Sequence, residues 1–224
     1  MSESDVIAGE ALVMSYPSQA GPVHALRNAS LRAERGEIVL LEGPSGSGKT
    51  TMLSVLAGML TPTAGTVWID GRDITHLSRR ERTRVRLERL GFVFQSFNLI
   101  RALTARENVD LILRARGFDR RSRGTMIDEM LGRLGIGDKG GRFPAQLSGG
   151  EQQRFAIARA LVGKPAVVLA DEPTSSLDQE NGAAVMTVLC ELARERETSV
   201  VIASHDPRIA RFADRVVALS DGRC

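Results

Sequence analysis

An α/β fold built on a mainly parallel sheet is what the 224-residue sequence predicts, on three observations. Short apolar runs that end in glycine or a polar residue recur along the chain, as in "EIVLLEG", "GFVFQ", "AVVLAD" and "TSVVIAS". Between them lie stretches whose apolar residues repeat at helical spacing, the alternation that parallel sheets require. One strand-to-helix junction carries a glycine-rich loop followed by lysine and threonine.

In order along the chain, Glu37 to Gly43 predicts a buried strand, and "SGSGKTTMLSVLAGML" predicts a tight loop and a helix starting near Gly48. The breakers of "TPTAG" precede "TVWID" and the Asp70-Gly71 turn, so an antiparallel hairpin is expected to flank the loop. "GFVFQ" predicts a further strand. Asn98 to about Leu134 has helical spacing with breakers expected at Gly117 and Gly124, which suggests an inserted helical subdomain. From Gly150 the alternation resumes: a helix to Val162, the strand "AVVLAD", a helix over Gln179 to Arg196, the strand "TSVVIAS", a short helix and the strand "DRVVALSDG". No repeat or long linker divides the chain. The expected organisation is one domain over residues 1–224, with the helical insertion inside residues 96–160.

Composition is that of a globular protein, with 42% hydrophobic and 25% charged residues. The formal charge of +3 is small. The densest basic stretch, Ser78 to Gly91, interleaves Glu81 and Glu88 and reads as a solvated helix face rather than a nucleic-acid patch. The two cysteines, Cys190 and Cys224, fit no metal or disulfide spacing and are expected as free thiols. The amino terminus "MSESDVIAGE" lacks the basic-then-apolar pattern of a secretory signal. No apolar run approaches the roughly 18 residues of a membrane span, so any membrane role is expected to come through another chain.

The chemistry starts at "GPSGSGKT". Gly43, Pro44, Ser45, Gly46, Ser47, Gly48, Lys49 and Thr50 match the phosphate-binding loop G-x-x-x-x-G-K-[ST] in its strand–loop–helix setting, and Thr51 continues the helix. Backbone N–H groups and the positive helix end suit phosphate. Lys49 would reach the β- and γ-phosphates, and Thr50 offers a hard oxygen to Mg²⁺. "VVLADE" brings two carboxylates to a strand end, pointing to opposite sides by strand alternation. Asp171 would hold Mg²⁺ and Glu172 would act as general base toward the attacking water; an acidic turn before Pro173 is the plainer alternative. His205 after "IAS" and Gln95 after "GFVF" also lie at strand ends, where such sheets bind ligands. His205 could contact the γ-phosphate, and Gln95 could ligate Mg²⁺ or orient water, although either position also suits a structural polar residue.

"LSGGEQQR" is a second glycine-rich helix start, at Ser148, Gly149, Gly150 and Glu151. One chain has no evident use for two cradles. The economical expectation is a homodimer in which this segment meets nucleotide bound to the other copy.

These motifs, with "GFVFQSFNL", "VVLADEPTSSLD" and "IASHDP", occur in an order and spacing that resembles the nucleotide-binding subunits of ATP-binding cassette transporters along nearly the whole chain. The resemblance implies a P-loop NTPase core with an antiparallel β subdomain, ATP and Mg²⁺ as ligands, and ATP hydrolysis. It implies the same roles for Lys49, Thr50, Gln95, Ser148, Gly150, Asp171, Glu172 and His205. It adds Asp178 as a link between two nucleotide sites and Tyr16 as an adenine-stacking aromatic, and it implies a separately encoded membrane permease docked near the region after Gln95. The protein would then lie peripherally on the cytoplasmic face of the membrane. "LADEPT" with "LSGGEQQR" is more similar to the macrolide-export, lipoprotein-release and glycolipid-export branch (MacB, LolD and DevA types) than to importers, and the end at "SDGRC" lacks the regulatory extension of many importers. Ser176 stands where the family usually has alanine, and "ENVDLILRARGFDRRSR" is more polar than in close relatives. An amino-acid importer ATPase, a soluble cassette ATPase acting on nucleic acid or ribosomes, and a nucleotide kinase are the alternatives.

Overall fold

The computed structural model describes residues 4–17 and 21–224. Residues 1–3 of the acidic amino terminus, and residues 18–20 beyond Tyr16, lie outside it. The chain runs β1 (Asp5–Tyr16), β2 (Val23–Glu34), β3 (Ile38–Glu42), α1 (Lys49–Leu56), β4 (Ala64–Ile69), β5 (Arg72–Asp73), α2 (Arg79–Arg89), β6 (Leu90–Val93), α3 (Ala105–Ala115), α4 (Arg120–Arg133), α5 (Gly149–Leu161), β7 (Val167–Asp171), α6 (Gln179–Glu195), β8 (Ser199–Ser204) and β9 (Arg215–Ala218). A 3₁₀ turn over Pro207–Phe212 separates the last two strands.

A parallel sheet ordered β6-β7-β8-β3-β9 forms the centre, and an antiparallel sheet ordered β2-β1-β4-β5 lies beside it. Period-two alternation along the central strands divides the core in two. Ile38, Leu40, Val168, Ala170, Val200 and Ile202 face α3, α4, α5 and α6. Val39, Leu41, Val167, Leu169, Val201 and Ala203 face α1 and the antiparallel sheet. The result is three layers, with the strand ends that carry the motifs left open at one edge. Ser199 joins the layers: its buried hydroxyl donates to the Glu34 carbonyl at 2.7 Å and accepts from the Gly36 N–H at 2.9 Å.

Most expected elements are present. The Asp70-Gly71 pair takes left-handed backbone at both residues, φ 47° and 78°, as a two-residue hairpin turn requires. Gly117, at φ 83°, follows the end of α3. Gly124 is a correction. It lies inside α4, where its carbonyl accepts from Arg106 Nη2 and its α-carbon faces open space; an interior glycine weakens a helix by about 1 kcal/mol, too little to end one anchored by the buried Ile127, Met130 and Leu131.

Periodicity does not announce β1 and β2, the longest strands. The register of β1 slips between Gly9 and Leu12, with Ala11 at φ 50°, so a bulge breaks its alternation. In β2 the inward positions are partly filled by alanines, which leave little hydropathy contrast. The basic stretch forms α2, started by a reciprocal cap between Ser78 and Glu81. Several of its arginines are engaged within the chain, Arg84 with Glu88, Arg86 with the Gly58 carbonyl, Arg89 with Asp70 and Arg82 with Thr61. Cys190 is buried, and burial pushes its thiol up to about 11.

Candidate functional site

β3 ends at Glu42 and α1 begins at Lys49, and the loop between them is shaped by glycine. Gly46 and Gly48 adopt φ 83° and 108°, and a Cβ on Gly48 would sit 2.4 Å from the Ala25 carbonyl oxygen of β2. A Cβ on Gly43 would lie 2.3 Å from the Leu219 carbonyl. Two further bonds brace the loop, from the Leu219 N–H to the Glu42 carbonyl at 2.7 Å and from the Gly222 N–H to the Ser47 carbonyl at 3.1 Å. The phosphate loop therefore rests on β2 and on the turn after β9, contacts that its motif does not encode.

A cavity of about 330 Å³ opens over this loop. Ala25, Ser45, Gly46, Gly48, Lys49, Thr50, Thr51, Gln95, Glu172 and His205 form its wall. Lys49 is buried, and its ammonium donates to the Gly43 and Pro44 carbonyls at 2.7 and 3.1 Å. Carbonyls are neutral acceptors, so a phosphate offering full negative charge can displace them. The Ser47 hydroxyl is buried without a hydrogen-bond partner among the described residues, an orphaned donor of the kind a ligand satisfies.

Glu172 departs from the expected geometry. β7 ends at Asp171, and Glu172 leaves the strand with φ 47°, so a backbone turn, not strand alternation, separates the two carboxylates. Its N–H donates to the Ala203 carbonyl at 2.9 Å and its carbonyl accepts from the Ser175 hydroxyl at 3.0 Å. Left-handed backbone at a glutamate is unfavourable and persists only where the surroundings hold it. The side chain is held as firmly. Oε1 lies 2.8 Å from His205 Nδ1 and 3.7 Å from Lys49 Nζ, and Oε2 accepts from the Ser204 hydroxyl at 3.2 Å. Because an ionised carboxylate only accepts, Nδ1 is the donor; Nε2 is then an acceptor in the neutral ring and a second donor only in the doubly protonated one. Ser204 is a site residue that motif reading passes over; its place one residue before His205, at the end of β8, is the signal that could have found it.

Asp171 accepts from the Thr50 hydroxyl at 3.2 Å. Burial raises its pKa, the Thr50 hydrogen bond and Lys49 opposing and the neighbouring Glu172 charge adding to the rise. A half-buried carboxylate beside a hydroxyl is an all-oxygen donor pair short of positive charge, which fits a hard divalent cation. Asp171→Asn is accordingly expected to raise the melting temperature of the nucleotide-free protein by about 2–4 °C, the shift that roughly 1 kcal/mol produces in a chain of this size. The same variant is expected to lose the tightening of nucleotide binding by Mg²⁺. Calorimetry and nucleotide titration check the two arms, and a lower melting temperature would show that the ionised carboxylate stabilises the fold.

The second cradle lies elsewhere. Ser148 caps α5, accepting from the Glu151 N–H at 3.3 Å while Glu151 Oε2 accepts from the Ser148 N–H at 2.8 Å and Oε1 pairs with Lys139 at 3.3 Å. These hydrogen bonds, the one from the Ser148 N–H largest, hold the Glu151 carboxyl below the usual range. The N–H groups of Gly149 and Gly150, in the first turn, have no intrahelical acceptor. Ser148, Gly149, Gly150 and Glu151 are not in the cavity wall. Gly149 packs beside Leu177 and Ser176, and Gly150 beside Asn181. Asp178 is also outside the wall; it caps α6 through the Asn181 N–H at 2.9 Å. Tyr16 ends β1, exposed and not in the cavity wall; it pairs with Val23 of β2, two residues before Ala25, which is in the wall.

Residues 26–175 match the model of the ABC transporter family. The lipoprotein-releasing system ATP-binding protein LolD 2 of Caulobacter vibrioides is 45% identical over 217 residues, 97% of this chain and 95% of that protein. The macrolide export ATP-binding/permease protein MacB of Salmonella choleraesuis is 43% identical over 209 residues, 93% of this chain but only 32% of that longer protein. Among solved structures, the post-hydrolysis dimer of the ATP-binding cassette MJ0796 bound to ADP and Pi superposes with a TM-score of 0.90 at 39% identity, covering 97% of this chain and 95% of that one.

Proposed function

The chain belongs to the ABC transporter family, and from that membership we propose that it is the ATP-hydrolysing subunit that energises a separate membrane permease of the export type. One observation carries the catalytic part of the reading: Lys49, Thr50, Gln95, Glu172 and His205 wall a single cavity over the phosphate loop. In the proposed reaction Lys49 exchanges its carbonyl partners for the β- and γ-phosphates. Glu172, fixed by Ser204 and His205, takes the proton of a water attacking the γ-phosphorus as the bond to the ADP oxygen breaks. Thr50, Asp171 and Gln95 are the oxygen donors for Mg²⁺, which when bound neutralises phosphate charge. His205, as the doubly protonated ring, keeps Nδ1–H on Glu172 and donates from Nε2 to the γ-phosphate.

Ser148, Gly149 and Gly150 serve the nucleotide of a second copy, with Asp178 at the same interface and Tyr16 under the adenine. The absence of Ser148, Gly149 and Gly150 from the wall of the chain's own cavity supports this arrangement, as does the dimeric state of the MJ0796 relative. The whole chain acts as one unit, with the helical insertion within residues 96–160. No helix among the described residues is long and apolar enough to cross a membrane. The permease would instead seat in an apolar groove of about 350 Å³ walled by Met59, Leu87, Phe92, Phe94, Leu111 and Ile112, next to the Gln95 loop. LolD and MacB, named for lipoprotein release and macrolide export, point to a lipid-like or amphipathic substrate. The intramolecular partners of the α2 arginines weigh against nucleic acid.

Phosphate release from MgATP by the purified chain, together with an ATP-dependent shift to dimer in sedimentation, tests the reading. A chain that releases no phosphate, with or without a co-expressed permease, sinks it.

A further inference from the structure

The loop that carries Gln95 is held at two places of unequal strength. Just past Gln95 the backbone turns left-handed at Phe97 and Asn98, φ 59° and 49°. The half-buried Arg159 of α5 donates to both of their carbonyls, at 2.9 and 2.6 Å. A guanidinium fork on two carbonyls is a firm, charge-assisted clamp. On the other side the exposed Ser176 hydroxyl donates to the Gln95 carbonyl at 3.2 Å. That is a single neutral bond near solvent, cheap to make and to break.

The position of Ser176 gives the bond its interest. It lies between Glu172 and Asp178, and its own carbonyl is 3.7 Å from where a Cβ on Gly149 would sit. One hydroxyl thus ties Gln95, a residue of the phosphate cavity's wall, to the loop that carries Glu172 and abuts the start of α5.

We propose that Ser176 is a positioning residue whose hydroxyl fixes the backbone of Gln95 and so presents the Gln95 amide to the Mg²⁺-nucleotide, with Arg159 as the permanent anchor of the loop and Ser176 as its releasable one. The inference rests on the function proposed above. It asks nothing of Ser176 toward the nucleotide itself: an alanine there leaves the loop's own backbone bonds, such as that from the Leu177 N–H to the Thr174 carbonyl at 3.0 Å, in place.

The test compares binding of a non-hydrolysable ATP analogue to the full chain in Mg²⁺ and in EDTA. Ser176→Ala is expected to weaken binding in Mg²⁺ by about 3- to 10-fold, the range of one net hydrogen bond, and to leave binding in EDTA unchanged. Ser176→Thr, which keeps the hydroxyl, restores the parental value. In a Gln95→Ala background the same Ser176→Ala change adds nothing further. Without nucleotide, hydrogen exchange of the amides at 95–98 is expected to speed up in Ser176→Ala and not in Ser176→Thr. An unchanged Mg²⁺ increment in Ser176→Ala, or a loss of the same size with Gln95 already removed, overturns the proposal. If the parental chain binds no nucleotide, the function proposed above fails instead, and the exchange comparison alone decides whether Ser176 holds the loop.

Discussion

Glu172→Gln is expected to lower the rate of ATP hydrolysis by about 10²- to 10⁴-fold, the contribution of a positioned general base, while ATP still binds within a few-fold of the parental chain. The geometry separates the two effects. Glu172 reaches Ser204, His205 and Lys49, but the phosphate loop is shaped by its own glycines and by β2 and the turn after β9. Glutamine keeps the hydrogen-bonding size of the side chain and removes a negative charge from beside the γ-phosphate position, so binding is not weakened by repulsion. With hydrolysis blocked, ATP-bound dimers should accumulate in sedimentation, because ligand that favours one assembly stabilises it for as long as it stays intact. Hydrolysis at the parental rate would remove Glu172 from the base role. Loss of ATP binding would show instead that its carboxylate holds the cavity together.

The second large effect is on the loop itself. Gly46 and Gly48 both have positive φ, 83° and 108°, yet a Cβ on Gly46 meets nothing within 4 Å whereas one on Gly48 comes 2.4 Å from the Ala25 carbonyl. Gly46→Ala therefore carries only the strain of left-handed backbone, about 1–2 kcal/mol. Gly48→Ala adds a collision with main chain that no side-chain rotation relieves, for a total of about 3 kcal/mol or more. In a chain of this size that difference is a fall in melting temperature of about 2–8 °C for Gly46→Ala against about 6–12 °C or more for Gly48→Ala. Gly48→Ala is also expected to abolish ATP binding, since the N–H groups at the start of α1 shift with it. Equal melting temperatures would mean that approach to β2 does not fix the loop.

The sequence makes legible what is local. "GPSGSGKT", "GFVFQ", "VVLADE" and "IASHDP" each place their residues at the end of a strand, and one cavity is walled by Lys49, Thr50, Gln95, Glu172 and His205. What it conceals depends on residues far apart in the chain. The left-handed backbone of Glu172 is set by Ala203 and Ser175, and an isolated "DEP" carries no sign of it. Gly124 reads as a breaker because local propensity cannot weigh the packing of Ile127, Met130 and Leu131. β1 and β2 are obscured by a bulge and by alanines that pack as core without looking hydrophobic. The two-site reading of "LSGGEQQR" rests on the presence of two cradles in one chain, and Ser148 is not in the cavity wall, which is compatible with the proposed dimer.

β3, which delivers the phosphate loop, pairs with β8 and β9 and with no strand formed earlier in the chain. During synthesis residues 38–50 leave the ribosome long before residues 199–218, so β2 is available to the phosphate loop early, while the neighbours of β3 in its own sheet come more than 150 residues later. Pairing of such distant segments is intrinsically slow. Until β8 arrives, the apolar β3 and β7 have no partner between them, and unpaired apolar strands of this kind are prone to aggregation.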